Sequence, residues 1–123
     1  MKTVLFSLLI LLAACNKTTV RNKDREAPVV TLNAPAPGSQ VSPNVPVNIT
    51  GRVSDNEYIA EIHIHITNLN TGQLMLDVHL YPAAALANFE QTFTPLVGNR
   101  YKIQIIARDR ALNEGIQTVE INA

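Results

Sequence analysis

The stretch EIHIHITNLNTGQLMLDVHL, residues 61–80, contains two alternating segments separated by a turn sequence. An apolar residue stands at every second position in 62–66 and again in 74–80, which is the period of a half-buried β-strand. Between them, Asn70-Thr71-Gly72 suits a three-residue loop closed by a glycine in the left-handed region. The stretch therefore predicts an antiparallel hairpin, and it favours a fold built from strands.

The apolar positions also fix the register of the predicted hairpin. Pairing Leu69 with Gln73 sets Ile64 opposite Val78 and Ile66 opposite Leu76 on the apolar face. On the other face, the same register gives three pairs: Thr67 with Met75, His65 with Asp77, and His63 with His79. A slip of one residue would set the isoleucines against polar residues, so the pattern supports this register.

Strand patterns continue on both sides of the hairpin, at residues 29–32, 45–53, 89–93, 101–107 and 119–121. We expect a turn at Asp55-Asn56-Glu57 and a helical turn in AAALAN, residues 83–88. Beyond the N-terminal apolar run, no amphipathic pattern reaches the length of a helix. About seven short strands with regularly spaced turns predict an all-β fold, a β-sandwich.

Three segments resemble bacterial immunoglobulin-like domains of the cadherin or fibronectin type: residues 27–30 (APVV), 49–56 (ITGRVSDN) and 101–113 (YKIQIIARDRALN). In many such domains the last block ends Ala-x-Asp-x-Ala-Gly-Asn, and here Leu112 stands at the glycine position. The resemblance implies an immunoglobulin-like sandwich over residues 28–123. It also implies a tyrosine corner at Tyr101, for which a plain core tyrosine is the alternative.

The N-terminus predicts export and lipidation. The apolar run of residues 4–12 is too short for a spanning helix, which needs about 20 residues, and it fits the core of a signal peptide. The sequence LAAC at 12–15 resembles the lipobox of bacterial lipoproteins, in which the cysteine is acylated after cleavage just before it. This resemblance implies a signal peptide at 1–14, a palmitate-type anchor on Cys15, and a flexible polar tether at 15–27.

Composition and motifs argue against several classes of function. Ten basic residues balance ten acidic residues, so no basic surplus indicates nucleic acid binding. The single cysteine excludes an intramolecular disulfide. No serine lies in a recognisable nucleophile elbow and no glycine-rich phosphate loop occurs. These features favour a protein that is not an enzyme.

The histidines form the first candidate metal site. The predicted register places His63, His65, His79 and Asp77 on one face of the hairpin, at spacings from which imidazoles converge on zinc. The pair on one strand and the third on its neighbour resemble the zinc arrangement of carbonic anhydrase. The alternative is an ordinary solvated strand face, and the sequence leaves both open.

The end loops form the second candidate metal site. In an immunoglobulin-like sandwich, the loops after the second and sixth strands share one end, which would gather Asp55, Glu57, Asp109 and Asn113. Such oxygen ligands suit calcium, whereas the alternative is ordinary turn chemistry. Asp24-Arg25-Glu26 matches a calcium-binding triplet of cadherins, but it precedes the first strand and we interpret the match as chance.

Together these features predict a non-catalytic envelope lipoprotein that binds or scaffolds a protein or glycan partner and requires no cofactor. In enterobacterial lipoproteins an aspartate after the cysteine retains the protein in the inner membrane. Asn16 stands at that position here, so the resemblance implies the outer membrane. A zinc-binding module at the histidine face is the alternative function.

Overall fold

A computed structural model describes residues 23–123, which form strands and connecting loops. The predicted signal peptide of residues 1–14, Cys15 and most of the predicted tether lie outside the described residues. Within 23–123, no helix has the length and apolar character needed to cross a membrane. The six strands are β1 (Val29–Ala34), β2 (Val47–Asn68), β3 (Leu74–Leu80), β4 (Ala84–Phe93), β5 (Arg100–Asp109) and β6 (Glu114–Asn122).

Strand β2 belongs to both layers of a sandwich. Residues 47–54 pair antiparallel with β1 and with β4, which makes the first layer. Residues 59–68 pair antiparallel with β3 and with β5, and β6 extends this second layer by pairing with β5. All strands therefore belong to one hydrogen-bonded system, because β2 joins the two layers.

The long strand β2 folds back on itself. A straight strand of its 22 residues would be about 70 Å long. However, the N–H of Asn44 donates to the carbonyl of Pro95, and Nδ2 of Asn68 donates to Oδ1 of Asn99, so both ends of β2 reach the same loop. The reversal lies at residues 55–58, where the pairing partners change.

The predicted turn at residues 55–57 lies at this reversal, within β2. Oδ2 of Asp55 accepts the N–H of Glu57 at 2.9 Å and that of Tyr58 at 2.7 Å, as aspartate does in turns. The sequence predicted about seven strands, and residues 23–123 form six. Strand β2 runs without a break from Val47 to Asn68 across this turn, so two predicted strands form one element.

The predicted helical turn at residues 83–88 was also wrong. Residues 84–88 begin β4, whose backbone pairs with β2 from Ser54–Leu86 to Val47–Phe93. Alanine has the highest intrinsic helix propensity, but such a preference is small and tertiary pairing overrides it here. Phe89 and Phe93 point into the core from this strand, where both are buried.

The core lies between the two layers. It contains the isoleucines of the alternating segments, each worth roughly 1.5–3 kcal/mol on burial, and the fully buried Tyr101. The hydroxyl of Tyr101 accepts the N–H of Leu96 at 2.9 Å. This bond to the backbone a few residues upstream is the tyrosine corner of such sandwiches, so that expectation is confirmed and the plain core tyrosine is not.

The predicted hairpin register is confirmed. His63 pairs with His79, His65 with Asp77, and the isoleucines pair as expected. The loop differs from the prediction, because Asn68, not Leu69, donates its N–H to Gln73. A register shift after Ile66 accommodates the longer loop and sets Thr67 opposite Leu74. Gly72 adopts the left-handed φ of 76° that the turn requires.

The two ends of the sandwich carry different segments. At the end we call the entry end, residues 23–28 join the turns at 55–58, 81–83 and 110–113. The opposite end, called the distal end, carries the loops 35–46, 69–73 and 94–99.

The entry end is held by a close backbone approach. A Cβ added to Gly115 would lie 1.8 Å from the carbonyl oxygen of Pro28. Only glycine therefore allows the chain before β1 to lie against the start of β6.

Candidate functional site

The hairpin places three histidines together on the outer face of the second layer. Residues 59–68 of β2 form a central strand, paired on one side with β3 and on the other with β5. Ile62, Ile64 and Ile66 point inward and are fully buried, so His63 and His65 must point outward on the alternating positions. The structure therefore brings together the four residues that the sequence proposed for zinc.

Asp77 lies at the centre of this group. Its Oδ1 contacts Nε2 of His63 and lies 3.4 Å from Nε2 of His65 and 3.4 Å from Nε2 of His79. Nε2 of His65 and Nε2 of His63 are 2.6 Å apart. We call His63, His65, His79 and Asp77 the histidine cluster.

The rings of the histidine cluster are in contact as well as their nitrogens. The ring of His63 stacks on that of His79, with centroids 3.7 Å apart, and meets that of His65 edge-on at 3.8 Å. The exposed side-chain fractions range from 20% for His63 to 43% for Asp77. The cluster is thus half-buried and open to solvent on one side.

A line of charged residues borders the cluster. Nδ1 of His79 donates to Oε1 of Glu61 at 2.5 Å. The other carboxylate oxygen of Glu61 lies 3.8 Å from the guanidinium of Arg108, which also donates to Glu114 at 2.5 Å. Together with Ile106 these side chains surround a depression of about 290 Å³ beside His63. The depression is a shallow recess between the histidine strands and β5.

Two carboxyl groups and one imidazole here have lowered pKa values. The hydrogen bond from His63 lowers the pKa of Asp77, and the hydrogen bond from His79 lowers the pKa of Glu61. Burial is the main reason that the pKa of His65 is lowered, and the nearby charge of His63 adds to it. Both carboxyl groups therefore stay ionised near neutral pH, and His65 stays neutral.

A second group of ligating side chains lies at the entry end. One carboxylate oxygen from each of Asp24, Asp55 and Asp109 lies within 4.8 Å of the other two. Asp109 is 2% exposed, and it accepts the N–H of Asn113 at 2.8 Å and its Nδ2 at 2.6 Å. Glu57, which the sequence proposed as a ligand, contributes its backbone N–H to Asp55 but no carboxylate to this entry-end cluster.

Neutral donors, rather than cations, hold the entry-end cluster. Oδ1 of Asp24 accepts the N–H of Glu26 and Nδ2 of Asn56, both at 3.0 Å, and these bonds lower the pKa of Asp24. Nδ2 of Asn113 reaches the carbonyl oxygens of Asp24 and Glu26 at 3.2 Å. Within residues 23–123, none of the ion pairs involves the three aspartates. Calcium binding at this end stays a prediction.

Sequence reasoning missed one residue beside the histidine cluster, Glu61, and one residue in the entry-end cluster, Asp24. Glu61 precedes the histidines on β2. It alternates with His63 and His65 along the strand, so the strand period could have placed it on the same face. Asp24 was treated as a chance match because it precedes β1. The structure folds residues 24–26, assigned by sequence to the tether, onto the entry end through Asn56 and Asn113.

Comparisons with known proteins agree with this architecture. No curated protein matches this sequence. The solved structure of Clostridium thermocellum CbhA fibronectin(III)-like modules is similar, with a TM-score of 0.54 and 23% identity over 79% of this chain. This chain covers 46% of that chain's length, and the similarity supports the fold alone. It confirms the immunoglobulin-like sandwich that the sequence predicted. The family model of the bacterial Ig domain, Big_7, matches residues 28–121, and this chain therefore belongs to that family.

Proposed function

We propose that this protein is a non-catalytic module of the cell envelope. In this proposal, acylated Cys15 anchors the chain in the outer membrane, and the sandwich binds a partner protein at its distal end. Immunoglobulin-like and fibronectin III-like domains are typically non-catalytic, which supports the first part. The LAAC sequence supports the anchor.

The observation that carries the binding proposal is the bracing of the distal loops. Backbone hydrogen bonds of 2.8–2.9 Å join Asn44 to Pro95, Leu69 to Arg100, and Ala123 to Asn99. Exposed apolar side chains stand on these braced loops: Val45, Leu69, Leu96 and Val97. Ordered loops with exposed apolar side chains are typical of protein-binding surfaces.

The position of the distal end suits an anchored protein. Residues 23–28 enter at the opposite end, so a tether to Cys15 leaves the distal loops facing away from the bilayer. Two or three acyl chains give stable membrane attachment, whereas one chain alone is marginal. The arrangement therefore presents the braced loops to other envelope proteins.

Metabolic labelling with a clickable palmitate analogue tests the anchor. We expect the wild-type protein to be labelled and to fractionate with the outer membrane. The Cys15→Ser variant should lose the label and leave the membrane fraction. Label that persists in Cys15→Ser, or a wild-type protein without label, would contradict the anchor.

Site-specific photo-crosslinking tests the binding surface. A photoreactive residue at position 97 should give a discrete adduct with one envelope protein, and Leu96→Asp should remove it. Position 112 is the matched control, because Leu112 is 73% exposed and lies at the entry end, compared with 69% for Val97. Equal adducts from both positions, or none from position 97, would count against a distal binding surface.

A further inference from the structure

Two acceptor atoms in the histidine cluster converge on a single hydrogen of His63. Nε2 of His63 contacts Oδ1 of Asp77 and also lies 2.6 Å from Nε2 of His65. An ionised carboxylate only accepts, and a neutral imidazole nitrogen either donates or accepts. One N–H on His63 must therefore serve both neighbours, while lone pairs of Asp77 and His65 are directed at it. A cation at that point would receive lone pairs from all three residues.

Two of the separations between the candidate ligand atoms match those of a tetrahedral ion. Four ligands about 2.1 Å from zinc lie about 3.4 Å from one another. The distances from Oδ1 of Asp77 to Nε2 of His65 and to Nε2 of His79 are both 3.4 Å. The contacts of His63 are shorter than this, so its ring must move out by roughly 1 Å to make room for zinc. The half-buried ring has solvent on one side into which it can move.

The fourth candidate ligand is already oriented. Because Nδ1 of His79 donates to Glu61, the lone pair of this imidazole is on Nε2, the atom that lies 3.4 Å from Asp77. Metal-ligating histidines commonly donate their second nitrogen to a carboxylate in this way, which fixes the tautomer and raises the basicity of the ligating nitrogen. Glu61 is therefore suited to a positioning role.

We propose that the histidine cluster is a zinc site, with His63, His65, His79 and Asp77 as ligands and Glu61 as the residue that positions His79. This site does not depend on lipid anchoring or on the distal loops.

Chemistry and charge both favour a divalent cation of this kind. Imidazole suits zinc better than it suits calcium or magnesium, which prefer oxygen ligands. Three carboxylates, on Glu61, Asp77 and Glu114, surround the site, and the close guanidinium of Arg108 is shared between two of them. His63 and His65 stand on a strand that is paired on both sides, so their backbone is already in position.

Calorimetric titration of zinc into the full-length protein in detergent tests the proposal. All variants carry Cys15→Ser, which removes the only thiol. We expect one zinc per chain with a submicromolar Kd. His65→Ala should weaken binding at least 100-fold, and Glu61→Gln should weaken it by 10- to 100-fold. Cobalt in place of zinc should give the intense visible bands of a tetrahedral site, and these should be lost in His65→Ala.

Gln104→Ala is the matched control, because Gln104 pairs with His65 across β2 and β5 and stands on the same face. It should bind zinc as tightly as the parent. Thermal melts in chelator identify any variant that fails to fold, and His65→Asn then replaces His65→Ala. Absence of stoichiometric zinc binding, or parental affinity in a folded His65 variant, would overturn the site. Parental affinity in Glu61→Gln would overturn the role of Glu61 alone.

Discussion

The histidine cluster and the entry-end cluster both gather ligating side chains, but the chain assembles them differently. The histidine cluster comes from one hairpin, in which strand register decides which side chains meet. The entry-end cluster joins Asp24, Asp55 and Asp109, which are separated by up to 85 residues and meet only when the sandwich is complete. The first cluster is thus a product of local pairing, and the second is a product of the whole fold.

The two clusters also differ in what holds them. Histidine and carboxylate partners hold each other at the half-exposed hairpin face. At the entry end, backbone N–H groups and asparagine amides bind the carboxylates, one of which is almost fully buried. We therefore expect the entry-end cluster to matter more for stability and the histidine cluster more for ligand binding.

Gly115→Ala should give the largest effect. The new Cβ would meet the carbonyl oxygen of Pro28 at 1.8 Å, so the chain before β1 must move off β6 and take Asp24 with it. We expect the free energy of unfolding to fall by about 3 kcal/mol, measured by urea denaturation. Gln117→Ala on the same strand is the control and should change little. Wild-type stability in Gly115→Ala would mean that the entry end is not held by this approach.

Asp109→Ala compares the two clusters directly. It removes the acceptor for two hydrogen bonds from Asn113 at a buried position, and we expect a loss of about 2 kcal/mol. Asp77→Ala removes a half-exposed carboxylate whose interactions are screened by solvent, so the urea midpoint in chelator should fall much less than in Asp109→Ala. Equal losses in the two variants would contradict the division of roles between stability and binding.

The pH dependence of stability distinguishes the two clusters, because only the histidine cluster contains an imidazole with a lowered pKa. The pKa of His65 is lowered in the folded state, so the unfolded chain binds more protons below about pH 6.5. Stability should therefore be complete above that pH and fall as pH decreases toward the lowered pKa. The pKa values of Asp77, Glu61 and Asp24 are also lowered, and their contribution is lost as pH falls below about 4.

Urea midpoints measured in chelator between pH 8 and pH 3 check this dependence. His65→Asn should remove the decrease near pH 6 and keep the decrease at lower pH. Asp24→Asn should retain the decrease near pH 6, because Asp24 belongs to the other cluster. A decrease near pH 6 that survives in His65→Asn would show that another group causes it.

The contrast between local pairing and assembly by the whole fold also explains which features could be predicted from the sequence. The alternation in residues 61–80 predicted the pairs around Asp77, because the side-chain period of a strand decides which residues share a face. The tyrosine corner at Tyr101 followed from resemblance. Asp24 could not be placed from sequence, because its position depends on the approach of the chain before β1 to Gly115, which no local pattern encodes.

Two predictions about the strands differ from the structure: the helical turn at residues 83–88 and the number of strands. The helical turn at residues 83–88 was expected from alanine content, yet pairing with β2 decides the conformation there. About seven strands were expected and six form in the described residues, because β2 continues on both sides of the turn at Asp55 as one element. At residues 84–88 a long-range partner outweighed a local preference, whereas at residues 55–58 the predicted local turn does form.

The smallest expected effect is a gain in stability at Leu112, in the turn that carries Asp109 and Asn113. Leu112 adopts φ 69°, a left-handed conformation that costs a residue with a Cβ roughly 1–2 kcal/mol. Glycine removes this strain but loses more entropy on folding, so the net gain for Leu112→Gly should be about 0.5–1 kcal/mol. The side chain is 73% exposed, so little burial is lost.

Leu112→Ala is the control for this change, because it also removes the side chain but keeps the Cβ and therefore the strain. Urea denaturation should show a gain in Leu112→Gly and none in Leu112→Ala. A gain in both variants would assign the effect to the exposed leucine side chain instead of the backbone. If neither variant gains stability, the left-handed conformation of Leu112 has no measurable cost in free energy. The entry end would then tolerate more sequence change than its buried aspartate implies.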